Sequence, residues 1–242
     1  MGIGIDVIDL QGLIQKVHTF IVSKHRAKIM YVNIHAMNIA CENRTHRKAL
    51  NDADLVYCDG EGVRLGARIL GEILPQRMTG ADWIWELCAM CEKKGYSLYL
   101  LGGERGVGER AALKLQGRYP DMEIAGTHHG FFQKEGEEND KVISLVNEKS
   151  PDILLVGFGS PLQEIWIHEN FEKFDAFVVW AVGAVVDFVS EKVPRGPRWM
   201  LDNGLEWLFR LMVEPRRMWK RYIIGNLVFF KRIVTAKFRN RG

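Results

Sequence analysis

This chain has few cysteines and no disulfide pattern, which argues against a small secreted scaffold. Only four of its 242 residues are cysteine, and only Cys88 and Cys91 form a CxxC pair. No second pair and no His-x₃₋₅-His follows at zinc spacing, so we expect both side chains to pack in the core. Because the sequence also lacks a signal peptide, we expect a cytoplasmic protein.

Long apolar runs are absent as well. The longest near the C-terminus, Tyr222–Phe230, has nine residues, less than half of what spans a bilayer. The chain is therefore predicted not to cross a membrane, although a segment of this kind can lie on one.

Positive charge is concentrated in one part of the chain. The formal net charge is only +3, but the segment from Arg195 onward carries 12 Lys and Arg against 3 Asp and Glu. A basic tail on an acidic body predicts an anionic partner, such as a membrane surface, a diphosphate or nucleic acid. The aromatic residues of the tail fit helix packing at least as well as base stacking, so we predict no nucleic-acid partner. A homo-oligomer stays possible.

Strand-like and helix-like segments alternate almost throughout. The predicted strands are Gly4–Ile8, Lys28–Ile34, Leu55–Asp59, Ser97–Leu101, Glu123–Thr127, Ile153–Gly157 and Ala176–Val182. The predicted helices are Leu10–Lys24, Ala36–Leu50, Val63–Leu70, Asp82–Lys94, Gly108–Arg118, Glu138–Lys149 and Leu162–Phe171. Several strands are continuous apolar runs, as in parallel sheets covered on both faces. The pattern predicts a Rossmann-like, doubly wound, mostly parallel α/β sheet.

The character of the sequence changes near Pro194. We therefore predict an α/β catalytic core over residues 1–193 and a basic helical appendage over residues 194–242 that associates with membranes. Pro215 is expected to break or restart a helix there. Arg210, Arg217 and Arg221 are spaced to share a face on one continuous helix, and their guanidinium groups suit a diphosphate.

Asp59 is the leading candidate for a catalytic group. It follows the apolar run Leu55–Cys58 and precedes Gly60 and Gly62. Ligands of open α/β sheets bind beyond the strand C-termini, so a carboxylate there is a candidate general base. The alternative is that Asp59 caps the next helix. Asn33 also ends a predicted strand and is expected to face the same crevice.

Two glycine-rich turns follow other strands. Gly102 and Gly103 open a turn into the next helix, where free N–H groups favour a phosphate. The turn is not GxGxxG, so it is weak evidence for a dinucleotide site. Gly157 and Gly159 precede Pro161, Gln163 and Glu164. There Gln163 could bond a sugar hydroxyl, whereas Glu164 either joins the site or complements the helix dipole.

Charged residues elsewhere carry weaker signals. Arg77 is a candidate anion clamp, against the alternative of a solvated surface arginine. Asp52-Ala53-Asp54 has the form of a metal-binding DxD motif, but it precedes a strand instead of ending one. We therefore assign no metal site.

Taken in order, the segments around these candidates resemble the WecG/TagA/CpsF family of bacterial glycosyltransferases over nearly the whole chain. The matching motifs are Asp59-Gly60-x-Gly62-Val63, Arg77-Met78-Thr79-Gly80-Ala81-Asp82, Leu100-Leu101-Gly102-Gly103, His129-Gly130-Phe131-Phe132, Gly157-x-Gly159-x-Pro161-x-Gln163-Glu164, Val182-Gly183-x-x-x-Asp187, Leu205-Glu206-Trp207-x-x-Arg210-Leu211 and Glu214-Pro215.

The resemblance implies transfer of a sugar from a UDP-sugar donor to an undecaprenyl-diphosphate-linked sugar, a polyprenyl glycolipid acceptor, at the inner membrane face. It implies inversion at the anomeric carbon without a metal or other cofactor. Asp59 would be the base, helped by Asn33 and Gln163. The substrate-binding residues would be Arg77, Gly102, Gly103, Gly157, Gly159, Glu164, Asp187, Arg210, Arg217 and Arg221.

The chain departs from the family pattern at Tyr31, where members often carry threonine. Since this position lies near the expected sugar site, the donor stays open among N-acetylmannosamine, its uronic acid, glucose and glucuronate. Two other classes stay open. One is a nucleotide-dependent oxidoreductase, disfavoured by the missing GxGxxG. The other is a non-catalytic, membrane-docked nucleotide-binding protein, disfavoured by Asp59, Asn33 and Gln163 together.

Overall fold

The computed structural model describes residues 2–75 and 77–239 of the chain. Arg241, a basic residue of the predicted tail, lies outside these residues. The strands are β1 (Ala27–Val32), β2 (Leu55–Cys58), β3 (Leu98–Gly102), β4 (Ile124–His128), β5 (Ile153–Gly157) and β6 (Val178–Ala181). They form one parallel sheet in the order β2-β1-β6-β5-β3-β4. The predicted fold class is confirmed.

Helices flank both faces of this sheet. They are α1 (Leu10–Val22), α2 (Ile34–Glu42), α3 (Arg44–Asn51), α4 (Glu61–Leu70), α5 (Gly80–Lys94), α6 (Val107–Arg118), α7 (Gly136–Asn147), α8 (Leu162–Asn170), α9 (Val185–Val189), α10 (Arg198–Asp202), α11 (Glu206–Val213), α12 (Pro215–Trp219) and α13 (Gly225–Arg239). A 3₁₀ turn, Phe171–Lys173, follows α8. Two apolar clusters, one on each face of the sheet, form the core.

The predicted strand Gly4–Ile8 is wrong. This segment runs irregularly beside the edge strand β2, and the Asp6 backbone N–H donates to the Val56 carbonyl at 2.8 Å. The Asp6 carboxylate then accepts from the Val56 N–H at 2.7 Å. Because a side chain takes the place of the next backbone acceptor, a regular ladder does not continue.

The predicted helix Ala36–Leu50 is two helices, α2 and α3, separated at Asn43. The backbone of Asn43 is extended, and its side-chain oxygen accepts from the His46 N–H at 2.9 Å. This is an N-cap, which starts a new helix instead of continuing the old one. The break redirects α3, so that its buried residue His46 packs toward α8.

The C-terminal helices fold back onto the sheet's helical layer. Pro215 begins α12, as a proline at the first helical position does. A π-helical segment, Lys220–Ile224, then joins α12 to α13. Helix α13 packs against α2 and α4, where Phe229 and Ile233 are buried. The Asn38 side chain of α2 donates to the Gly225 carbonyl at 2.7 Å. This bond fixes the position of α13 along its axis relative to α2.

Among the described residues, no helix combines the length and the apolar character that crossing a bilayer requires. Cys88 and Cys91 are fully buried in the core, as expected.

Candidate functional site

The central cavity, of about 490 Å³, lies at the carboxyl edge of the sheet. Its walls come from the segments that follow β1, β2, β5 and β6 and from the C-terminal helices. Residues that line it include Tyr31, Asn33, His35, Tyr57, Asp59, Arg77, Gly159, Gly183, Glu206, Arg210, Arg217 and Arg221. The sheet therefore brings Asn33 and Asp59 to one cavity, as the sequence predicted.

Asn33 and Asp59 are in direct contact. The Asn33 side chain caps α2, because its Oδ1 accepts from the Ala36 N–H at 3.0 Å. Its Nδ2 is then turned toward Asp59 and donates to Oδ2 at 3.4 Å. Asp59 itself caps no helix, since the residue before α4 is Gly60, which has no side-chain cap. The capping alternative for Asp59 is therefore wrong.

The surroundings of Asp59 hold its proton more tightly than usual. Burial, and after it the negative charge of Glu206, raise the pKa of this carboxyl, and the pKa that results from all its surroundings is about 7. The Asn33 hydrogen bond and the Arg221 charge act the other way. A carboxyl that titrates near neutral pH is suited to proton transfer.

Arg77 links the core to the C-terminal helices. Its Nη1 lies 3.3 Å from the Glu206 carboxylate, and its Nη2 donates to the Leu201 carbonyl. The side chains of Arg77 and Glu206 are 18% and 14% exposed. The arginine expected to clamp an anion is thus already paired with a carboxylate of α11, at the rim of the cavity.

Three arginines of the C-terminal segment converge on the central cavity. Arg210 lies on α11, whereas Arg217 and Arg221 follow Pro215, so they share a cavity without sharing one continuous helix. Arg217 pairs with Glu214 at 3.1 Å. The Nε atoms of Arg210 and Arg221 are buried, with no hydrogen-bond partner among the described residues. Both guanidinium groups retain donors for an anionic ligand.

A second cavity, the side cavity of about 750 Å³, adjoins the first. It is lined by residues at or after the ends of β3, β4, β5 and β6, among them Gly103, Lys134, Gly157, Phe158, Asp187 and Lys192. Gly159, Gly183, Ala184 and Arg217 line both cavities. Gly102 faces β5 so closely that an added Cβ would lie 2.6 Å from the Gly157 carbonyl oxygen. Because glycine has no Cβ, β3 and β5 can approach this closely at their carboxyl ends.

Charged groups of the side cavity have shifted proton affinities. Burial raises the pKa of Asp187, although Lys192, 4.0 Å away, opposes the shift. Burial lowers the pKa of Lys134 to about 8. The Lys134 ammonium donates to the carbonyls of Gly130 and Phe132 at 2.7 and 2.8 Å, and so ties down the loop after β4.

Gln163 and Glu164 lie beneath the cavities instead of in them. Both side chains are fully buried, and neither lines either cavity. The Gln163 Oε1 accepts from the Gly159 and Gly183 N–H groups at 3.2 and 3.0 Å. This placement differs from the expected contact between Gln163 and a sugar hydroxyl, because its amide oxygen already holds the two glycine loops.

Asp52 and Asp54 lie at the opposite edge of the sheet, where β2 begins. Asp54 accepts from the Lys28 N–H at 2.8 Å, and Asp52 is 3.9 Å from Lys48. Among the residues described, no group of three or more His, Cys, Asp and Glu side chains is arranged to hold a metal. Asp52 and Asp54 thus lie at the sheet edge opposite to Asp59, and they contact Lys48 and the backbone of β1.

Sequence reasoning missed Glu206 and Lys134 as site residues. Glu206 meets Arg77 across 129 positions of sequence, and no local pattern marks that contact. Lys134 follows the His129–Phe132 motif and could have been found by asking which cation lies next to that motif.

Comparison with known proteins gives a consistent family signal. The model of the glycosyl transferase WecG/TagA/CpsF family matches residues 1–242. A protein of Bacillus subtilis (strain 168) is 31% identical over 84% of this chain and 78% of its own length. A protein of Staphylococcus aureus (strain MRSA252) is 28% identical over 98% of this chain and 92% of its own length. Both relatives are named N-acetylglucosaminyldiphosphoundecaprenol N-acetyl-beta-D-mannosaminyltransferase.

Proposed function

The chain belongs to the WecG/TagA/CpsF family of glycosyl transferases, and we propose that it transfers N-acetylmannosamine from a UDP-sugar to N-acetylglucosaminyl-diphospho-undecaprenol. That it is a glycosyltransferase follows from the family match and the relatives' names, and a role in the synthesis of a cell-surface polysaccharide is part of the proposal. The donor, the inverting course and the independence from metal are parts of the proposal.

The observation that carries the proposal is the environment of Asp59. The surroundings of this carboxyl, burial above all, raise its pKa to about 7, and it shares a cavity with Arg210, Arg217 and Arg221. A base poised near neutral pH beside three cations suits a reaction in which a hydroxyl loses its proton and a diphosphate must be held.

The proposed reaction is a single displacement. Asp59 takes the proton of an acceptor hydroxyl, and that oxygen forms a bond to the anomeric carbon of the donor sugar. The bond from this carbon to the UDP oxygen breaks on the opposite face, and UDP leaves with the electron pair. Asn33 orients Asp59 through its hydrogen bond. Fixed N–H groups and Arg217 offset the charge that develops on UDP.

The two adjoining cavities give each substrate a place. We assign the nucleotide to the side cavity, where Gly103, Gly157 and Asp187 form the walls. The acceptor diphosphate is assigned to the central cavity, beside the guanidinium groups of Arg210 and Arg221. Arg217 lines both cavities and can therefore act on either diphosphate. The wall of Gly159 and Gly183 is where the two substrates would meet.

The C-terminal helices are proposed to hold the enzyme on an anionic membrane surface. They expose apolar side chains beside basic ones: Trp199 is 62%, Leu227 70% and Phe238 68% exposed. Such a surface binds the headgroup region of a bilayer, where a polyprenyl-linked acceptor is found. The protein would then be cytoplasmic and peripherally bound to the inner face of the cell membrane.

The test is UDP release from a panel of UDP-sugars, with and without N-acetylglucosaminyl-diphospho-undecaprenol, in EDTA. We expect acceptor-dependent release from UDP-N-acetylmannosamine alone. Release from UDP-glucose or UDP-glucuronate instead would replace the donor and keep the reaction. If no donor gave acceptor-dependent release, the proposed function would be wrong. The anomeric configuration of the product, read by NMR, tests inversion separately.

A further inference from the structure

A fully buried polar network lies under the wall between the two cavities. Glu164 of α8 and His46 of α3 are both 0% exposed, and His46 Nε2 lies 3.5 Å from Glu164 Oε2. Burying a carboxylate costs free energy unless it is paired and hydrogen-bonded. The proposed chemistry uses neither residue, so their presence needs another reason.

The network fixes which way the Gln163 amide faces. Its Oε1 accepts from the backbone N–H groups of Gly159 and Gly183. Those groups can only donate, so the amide oxygen must face them. The amide nitrogen then faces the other way, toward Glu164 Oε1 at 2.7 Å and the Tyr31 hydroxyl at 3.4 Å.

Glu164 accepts the hydrogen bond that the Gln163 amide nitrogen donates in this orientation. Its Oε1 accepts from Gln163 Nε2 and also from the Ser160 hydroxyl at 2.6 Å. A carboxylate oxygen can accept both bonds at once, and a carboxylate presents no competing donor. The loop that follows β5 is thereby held twice: Ser160 is bonded to Glu164, and Gly159 is bonded to Gln163.

We propose that Glu164 is a positioning residue, which holds the Gln163 amide in the orientation that clamps the β5 and β6 loops together at the wall shared by the two cavities. The inference rests on the proposed function for the identity of the substrates on either side. It replaces the expected substrate contact of Glu164 with an action through Gln163.

The clamp sets the separation of donor and acceptor. Gly159 and Gly183 line both cavities, so a shift of either loop moves the donor sugar relative to Asp59. Misplacement by about 1 Å can cost a reaction roughly 100-fold. The nucleotide also touches walls that the clamp does not hold, such as Gly103 and Lys192. Loss of the clamp should therefore lower kcat far more than it weakens UDP binding.

The test is a double-mutant cycle on the full-length protein. Gln163→Glu keeps an oxygen for the two glycine N–H groups but sets a second carboxylate against Glu164. Adding Glu164→Gln restores an N–H donor between the two side chains with the roles exchanged, and Glu164→Gln alone completes the cycle. Glu169→Gln is the matched control, because Glu169 is exposed on the same helix. Amide hydrogen exchange at Gly159 and Gly183, kcat for transfer and the Kd for UDP are measured for each variant.

For Gln163→Glu we expect about tenfold faster exchange at both glycines and roughly 100-fold lower kcat, with the Kd for UDP within about threefold. The double variant should recover most of both losses, and Glu169→Gln should match the parent protein. If Gln163→Glu does not fold and the double variant does, the coupling is supported equally.

Additive effects of the two substitutions would overturn the proposal, as would unchanged exchange at Gly159 and Gly183 in Gln163→Glu. Exchange is measured without substrates, so it decides the inference even if every donor fails. In that case the proposed function is wrong, and the exchange rates alone decide whether Glu164 positions Gln163.

Discussion

The pKa of Asp59 is set by burial, by neighbouring charges and by a hydrogen bond. Burial and Glu206 favour its protonated form, whereas Asn33 and Arg221 favour the carboxylate. The result is a pKa of about 7, at which the group is about half protonated in neutral solution. A base of this kind takes up a proton in one step and releases it after the product leaves.

Replacement of Asp59, the proposed base, should abolish most of the activity. For Asp59→Asn we expect kcat to fall at least about 10²-fold, the lower range for general-base catalysis, with little change in UDP affinity. The measurement is acceptor-dependent UDP release. Asp121→Asn, at an exposed position, is the control. Near-normal turnover by Asp59→Asn would rule out its role as the base.

The pH profile should report the same residue. Because the proposed mechanism needs the ionised carboxylate, kcat/KM is expected to rise with pH through about 7, where Asp59 loses its proton. Glu206→Gln removes a negative charge that raises this pKa, so the rise should move to lower pH. Exposed Glu86→Gln should leave the profile in place. A profile that stays fixed in Glu206→Gln would show that Glu206 does not act on the base.

Local sequence found the residues at the strand ends and missed the contacts that cross the molecule. Asn33 and Asp59 each follow an apolar strand, and parallel strands bring such positions to one edge. Glu206 could not be found in this way, because its partner Arg77 is 129 residues away. The sequence correctly placed Gln163 at the carboxyl edge of the sheet. Its burial and its hydrogen bonds to Gly159 and Gly183 show that it lies below the cavity floor.

At the scale of elements, the docking of α13 depends on a small residue of α4. An added Cβ at Gly66 would lie 2.8 Å from the Phe229 ring, closer than side chains pack without a shift. The sequence predicted a helix over Val63–Leu70 and a helical appendage over residues 194–242, but not this contact, because nothing local to Gly66 marks a partner that lies so far along the chain. The same limit explains Asn43, where one capping side chain divides a pattern that otherwise reads as continuous.

Two matched glycine substitutions test that packing. Gly66→Ala should destabilise the protein, because Phe229 and α13 must move. Gly117→Ala, in α6 with no neighbour within 4 Å of its added Cβ, should stabilise it by up to about 1 kcal/mol. The free energy of unfolding by urea measures both effects. A stabilising Gly66→Ala would contradict the tight contact between α4 and α13.

At the scale of the whole molecule, charge and apolar exposure favour one face for the membrane. The segment from Arg195 carries a net +9 on a body of −6, and Leu227 and Phe238 project from it. Surface attraction between such a segment and anionic lipid is screened by salt. We therefore expect binding to phosphatidylglycerol-containing vesicles to weaken as the salt concentration rises.

A pair of leucines tests the orientation. Leu227 of α13 and Leu113 of α6 are each 70% exposed. Leu227→Asn should weaken vesicle binding several-fold, because one apolar side chain no longer enters the interface, whereas Leu113→Asn should not. Co-sedimentation at constant salt measures both. Equal losses from the two substitutions would contradict docking through the C-terminal helices.

The order of the strands also bears on how the protein folds. β1 pairs with β6, so that Ala27 lies opposite Val178, whereas β3, β4, β5 and β6 pair among themselves over shorter stretches of sequence. Contacts between distant segments form slowly, since a long loop must close first. The pair β1–β2 and the group β3 to β6 can therefore each form before β1 joins β6. The seam that closes last runs between Asp59 on one side and the Gly159 and Gly183 loops on the other, so the ability to bring both substrates together would be the final property the folding chain acquires.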